Sequence, residues 1–172
     1  MEKGGENLDK TAVGKGELGG LAGQSSIDPI DLRILRSLQS DGRTSFRKVA
    51  ADLRLSTTTV GTRVARLERE RVIRGYATLV DFQKLGYELT VVTEFSVSKG
   101  RLLEMDREIA KLPGVCAVYD VTGEIDGIVV AKFKNREQLS HFTKGLLALP
   151  FVERTNSHVV LTTVKEDFRL AI

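Results

Sequence analysis

Asp120, Glu124 and Asp126 gather three carboxylates around the turn Gly123-Glu124-Ile125-Asp126, a grouping that could serve acid–base or divalent-cation chemistry. The remaining parts of such a site are missing. His141 and His158 are the only histidines and lack metal-ligand spacing, Cys116 has no neighbouring base, and no glycine-rich phosphate loop occurs. No catalytic residue, metal site or cofactor is therefore expected. The same turn has a second use. Glu124 and Asp126 suit an ammonium group, while Gly123 and the hydroxyls of Thr155 and Ser157 suit a carboxylate, so together they could hold an amino acid. Closing a hairpin and solvating its end is the plainer alternative.

A second constellation is built from threonine and arginine. Thr57, Thr58, Thr59 and Thr62 follow Ser56 and are interleaved with Arg63 and Arg66; Arg43, Ser45 and Arg47 lie just upstream. Threonine offers a hydroxyl to base edges or phosphates and a methyl to thymine. Arginine forks onto guanine or phosphate where lysine presents a point charge. Charge is distributed to match. Net charge is +3, yet residues 27–74 carry eleven Lys/Arg against six Asp/Glu, ten of the eleven being arginine, while the segments on either side are each acidic by one. Double-stranded DNA is the partner that such a block expects. A solvated basic surface is the alternative.

Those residues need elements to position them. Asp28 can cap a helix that opens with Pro29 and repeats Ile30, Ile34, Leu35 and Leu38 before Asp41-Gly42 ends it near Ser40. A second helix from Thr44 or Ser45 aligns Phe46, Val49, Ala50 and Leu53. A third, capped by Ser56, aligns Val60, Val64 and Leu67. Three short helices with so tight a second turn describe a helix-turn-helix, winged-helix-like, over residues 27–75. On a helical wheel Thr58, Thr62, Ala65 and Arg69 lie opposite the apolar stripe of the third helix, with Thr59 and Arg66 on a flank. Four threonines weaken a helix, so this face suggests base reading by Thr58, Thr62 and Arg66, with Arg43, Ser45, Arg47 and Arg63 on the phosphate backbone.

Beyond Gly75 the period changes. Residues 76–86 read as a short strand, Tyr76 to Val80, and a linker; Val91 to Val97 alternates as a strand with an apolar face that one small domain would cover poorly. Then come a helix on Leu102, Met105, Ile109 and Leu112, strands over Val115 to Thr122 and Asp126 to Phe133, and a helix on Leu139, Phe142, Leu146 and Leu149. A last strand covers Arg154 to Val164. The order β-α-β-β-α-β makes residues 87–165 a ferredoxin-like unit, α+β overall, with 166–172 as a C-terminal tail. Residues 1–26 hold seven glycines and no aromatic residue, the composition of a disordered tail. No apolar run approaches the roughly 20 residues of a membrane span and no secretory signal is present, so a cytoplasmic protein with no membrane contact is expected. Cys116, within Val115-Cys116-Ala117-Val118, reads as a small buried residue.

Taken together, Ile27-Asp28-Pro29-Ile30-Asp31-Leu32-Arg33-Ile34-Leu35, Asp41-Gly42-Arg43-Thr44-Ser45, the stretch Leu55 to Glu68 and Val72-Ile73-Arg74-Gly75-Tyr76 resemble the Lrp/AsnC family of regulators. The resemblance covers residues 27 to about 165. It implies a sequence-specific transcription regulator whose C-terminal domain joins dimers into octamers or other assemblies and binds an amino acid or related effector between dimers. In that pattern a Gly-Asp-x-Asp turn joins the central strands, and Gly123-Glu124-Ile125-Asp126 stands there with Glu124 one methylene longer. Arg54 and Arg71 occupy positions where the family pattern has glycine, which would strain the backbone if φ is positive there. An architectural protein that coats duplex with little regard to sequence would use the same arginines.

Overall fold

The computed structural model describes residues 26–172, so the glycine-rich tail expected over 1–26 lies, apart from Ser26, outside the described residues. Two compact units result, one running to Ala77 and including Arg169–Ile172, the other spanning Thr78–Phe168.

The first unit is three helices, α1 (Pro29–Ser40), α2 (Phe46–Leu53) and α3 (Thr57–Arg69). Each begins at a side chain that satisfies its orphaned N–H groups. Asp28 forms a reciprocal capping box with Asp31, Ser45 Oγ accepts from Lys48 N at 3.2 Å, and Ser56 Oγ accepts from Thr59 N at 3.0 Å. Ile34, Leu38, Val49, Ala50, Val60 and Val64 form the core, with Ile30, Leu53, Leu55 and Ile73 packed around it. Arg54 closes α2 in the left-handed region (φ 57°, ψ 46°) and Arg71 has φ 58°. The two arginines standing where glycine was expected therefore carry the backbone strain that L-residues meet at positive φ, about 1–2 kcal/mol each.

The second unit is a four-stranded antiparallel sheet, β1 (Leu89–Val97), β2 (Val115–Asp120), β3 (Gly127–Phe133) and β4 (Val152–Val159), in the order β2-β3-β1-β4. Helices α4 (Leu102–Ile109) and α5 (Arg136–Leu147) cover one face, where Val91, Phe95, Val97, Val129, Ala131 and Phe133 meet Met105, Ile109, Phe142 and Leu146. Gly127 opposes Phe95 across the β1–β3 ladder, and a Cβ there would stand 2.2 Å from the Phe95 ring. Only glycine lets the ring lie across β3 at that point.

Four expectations are corrected here. Tyr76 to Val80 is not a strand: it finds no pairing partner among the described residues, leaving Tyr76 53% and Leu79 74% exposed. The last strand stops at Val159, beyond which Val160 N still bonds Thr90 O at 2.8 Å before the pairing ends. The apolar face of β1 is not left bare but is buried by α4 and α5; its opposite face, with Val92 and Glu94, is the half-exposed one. Cys116 is exposed, because β2 is an edge strand with a register shift between Val115 and Ala117.

Candidate nucleic-acid interface and effector site

Burial sorts α3 into two sides. Val60, Val64 and Leu67 are buried, the two valines in the core shared with α1 and α2, while Thr57, Thr58, Thr62, Ala65 and Arg69 are exposed and Thr59, Arg63 and Arg66 are half-buried. With Ser26, Asp28 and Ser56, the side chains of Thr58, Thr59, Thr62, Arg63 and Arg66 line an open concavity of about 510 Å³. Arg43 and Arg47 are exposed at the start of α2. The serines have a second duty: Ser45 and Ser56 use their hydroxyls as helix caps, and Ser56 Oγ lies 2.8 Å from Thr59 Oγ1.

What the helical wheel could not show is where Arg63 and Arg66 are held. Arg63 Nη1 donates to Asp28 Oδ2 at 2.6 Å and to Asp31 Oδ1 at 2.9 Å; Arg66 Nη2 donates to Asp31 Oδ2. Asp31 is fully buried, and its Oδ2 also accepts from Asp28 N at 3.0 Å. Burial pushes the Asp31 carboxyl upward, but the hydrogen bonds from Arg66, Asp28 N and Arg63 outweigh it and hold the group below its usual range. Asp28 is lowered too, chiefly by its bond from Asp31 N and then by Arg63. The partner carboxylates raise both guanidinium groups above their ordinary value, so all four groups are charged at neutral pH. The signal in the sequence was Asp28-x-x-Asp31, of which only Asp28 was read, as a helix cap.

In the second unit the turn after β2 places Gly123 at φ 133°, with Asp126 tied back into the sheet. Asp126 N donates to Phe95 O at 3.0 Å, and Asp126 Oδ2 accepts from Val97 N at 2.8 Å beside the β1 bulge. A small hollow of about 110 Å³ brings Glu124 and Ile125 together with Glu94, Phe95, Ser96, Arg154 and Asn156. Of the five residues expected to hold an effector only Glu124 lines it, with Gly123 and Asp126 in the adjoining turn. Thr155 and Ser157 pair with Phe95 and Thr93, whose side chains point to the helix-covered side, and Ser157 Oγ lies 2.9 Å from Thr93 Oγ1. Strand alternation instead puts Arg154 and Asn156 with Glu124, a consequence of β4 that composition did not suggest. Asn156 Nδ2 donates to Glu94 Oε2 at 3.3 Å, fixing a carboxylate and an amide on the open face.

Comparison with known proteins gives both units the same assignment. Residues 27–68 match the AsnC-type helix-turn-helix domain and residues 90–170 the Lrp/AsnC ligand-binding domain. An uncharacterized HTH-type transcriptional regulator of Pyrococcus horikoshii is 44% identical over 144 residues, which is 84% of this chain and 97% of that protein. The chain belongs to the Lrp/AsnC family. A Neisseria meningitidis transcriptional regulator solved in complex with L-methionine superposes with a TM-score of 0.75 at 28% identity, covering 83% of this chain and 95% of that one. Bacillus subtilis LrpC superposes at 0.71 and 26%, over 81% and 98% of the two chains. This Lrp/AsnC protein is thus a DNA-binding transcription regulator with a helix-turn-helix and an effector domain, and not an enzyme. Among the described residues no helix is long and apolar enough to cross a membrane.

Proposed function

We propose that α3 enters the major groove with Thr58, Thr62 and Arg66 toward base edges, that Arg63 adds a contact from the same concavity, and that Arg43, Ser45 and Arg47 hold phosphates at the start of α2. Ser56 at the cap, with Thr57 and Thr59 in the first turn of α3, lies toward the phosphate backbone. The observation that carries this reading is the exposed edge of Thr58, Thr62, Ala65 and Arg69 beside the concavity. The effector is an amino acid or close derivative, held at the end of the sheet by Gly123, Glu124 and Asp126 with Arg154 and Asn156; Thr155 and Ser157 brace the strand beneath. Support comes from the paired acidic and basic groups around the hollow and from the related Neisseria protein solved with L-methionine.

A hollow of about 110 Å³ is small for most amino acids, so each copy supplies part of the site and a second copy closes it. The open sheet face, where Val92, Ile128, Val130 and a 46% exposed Tyr119 lie together, is the surface on which copies pair. A homodimer then presents two helix-turn-helix units to half-sites about one helical turn apart, or a multiple of it, and higher assembly is linked to ligand. With DNA as its partner the protein acts in the cytoplasm. One experiment tests the whole: sequencing duplexes selected from a random pool with and without each of the twenty amino acids, with light scattering on the same samples. Enrichment of one motif, altered in strength or in particle mass by at least one amino acid, is expected. No motif would defeat the base-reading assignment, and no change with any amino acid would defeat the effector assignment.

A further inference from the structure

Two arginines on a DNA-reading helix are ordinarily floppy: each carries about 2 kcal/mol of rotamer entropy that must be surrendered on binding. In this chain that freedom is already restricted. Asp31 lies wholly buried under α3 and accepts from both Arg63 and Arg66, while Asp28, at the cap of α1, accepts from Arg63 as well. Among the described residues the carboxylates take only Nη1 of Arg63, which leaves the Nη2 and Nε donors of that guanidinium for another acceptor. Both side chains are about one-quarter exposed and line the concavity shared with Thr58 and Thr62.

We propose that Asp28 and Asp31 are positioning residues for DNA recognition: they hold Arg63 and Arg66 in a fixed fork beside Thr58 and Thr62, and they cancel the charge that would make those arginines generic phosphate binders. The proposal rests on the reading of the α3 face given above. Asp31 is buried and cannot meet the duplex, while the Asp28 side chain, 40% exposed in the same concavity, has its charge offset by Arg63. Their effect is on selectivity. Held arginines reach a base edge only where the sequence places an acceptor at the right distance, whereas released ones swing to the nearest phosphate on any duplex.

The test uses the full-length protein, duplexes that it selects from a random pool, and shuffled duplexes of the same length. Asp31→Asn keeps an acceptor for Asp28 N and removes the shared charge. Because Asp31 is buried, Asp28→Asn is the second variant; asparagine caps a helix as well as aspartate does, so α1 is preserved while Arg63 loses a carboxylate. In variants with unchanged helical circular dichroism, the ratio of selected to shuffled affinity should fall about tenfold for Asp31→Asn and less for Asp28→Asn. The slope of log affinity against log salt should steepen by about one for each arginine released. A purely structural pair of aspartates would move the melting temperature but neither the ratio nor the slope, and that outcome in either folded variant overturns the proposal. Thr58→Ala and Thr62→Ala on the same duplexes separate the two readings. If they are silent, the face assignment fails; if they respond and the aspartate variants do not, only the positioning role falls.

Discussion

The two ends of this chain place charge in opposite ways. In the helix-turn-helix unit the polar side chains nearest the proposed DNA face are tied to a fully buried carboxylate, so the arrangement is complete within one chain. At the end of the sheet in the C-terminal unit, the anchoring is by backbone: Asp126 is bonded to Phe95 and Val97, while Glu124, Arg154 and Asn156 surround a hollow too small for most ligands. A polymer with a repeating, known geometry can be met by a preset surface. In the proposed effector site a small ligand meets a hollow incomplete in one chain, which the open sheet face of a second copy would complete.

The strongest way to break this contrast is to collapse one core and watch the other. Phe95→Ala removes the largest fully buried side chain and is expected to cost about 3–5 kcal/mol, erasing hydrogen-exchange protection from β1 and β3 while sparing α1, α2 and α3. Equal loss of protection from all three helices would show that the cores are not separate. Next in size, Thr62→Ala should lose about 1–3 kcal/mol on the selected duplex and relax its preference, whereas Arg47→Ala should weaken all duplexes alike in titrations at fixed salt. Identical profiles for the two variants would merge base reading with phosphate holding.

A smaller effect is expected from the strained arginines. Arg54→Gly and Arg71→Gly should each raise stability by about 1 kcal/mol in thermal denaturation, because glycine adopts positive φ without a Cβ clash, while Arg54→Ala, which keeps the Cβ, should not. Duplex affinity should drop in all three, since each loses a cation. The subtlest test lies in the C-terminal unit, where Asp106 of α4 meets Asp120 of β2 and its Oδ1 is buried without a donor. Burial first, then the bond to Asp120 and the charge of that group, push its carboxyl up to about 7. A folded-state value above the unfolded one means the contribution is fully present below about pH 4 and is lost as pH rises through 7. Denaturation midpoints of the C-terminal unit should therefore fall between pH 5 and pH 8, and Asp106→Asn should flatten that dependence. An unchanged slope in the variant would place the titrating group elsewhere.

Much of this was legible in the residues. Asp28, Thr44 or Ser45, and Ser56 announced three helix starts, because a short acceptor side chain before an apolar stripe is a local signal, and the structure makes Ser45 the second cap. The alternation of Val91 to Val97 and the turn at Gly123 marked β1 and the β2–β3 hairpin for the same reason, and the glycine-like positions of Arg54 and Arg71 did turn out to have positive φ. Tyr76 to Val80 misled because β-branched and aromatic residues favour strands only when a partner supplies the ladder. Cys116 misled because an apolar neighbourhood in sequence says nothing about whether a strand lies at the sheet edge.

Sequence alone determined the helix-turn-helix, the β-α-β-β-α-β order and the basic block, since each depends on spacing within a segment or on summed charge. Tertiary structure decided which side of β1 faces the helices, which β4 residues share a side with Glu124, and that Asp31 lies beneath Arg63 and Arg66, 32 and 35 residues further along the chain. Those facts are distances between segments, and a helical wheel or an alternation pattern carries no information about what the other side of the pattern meets.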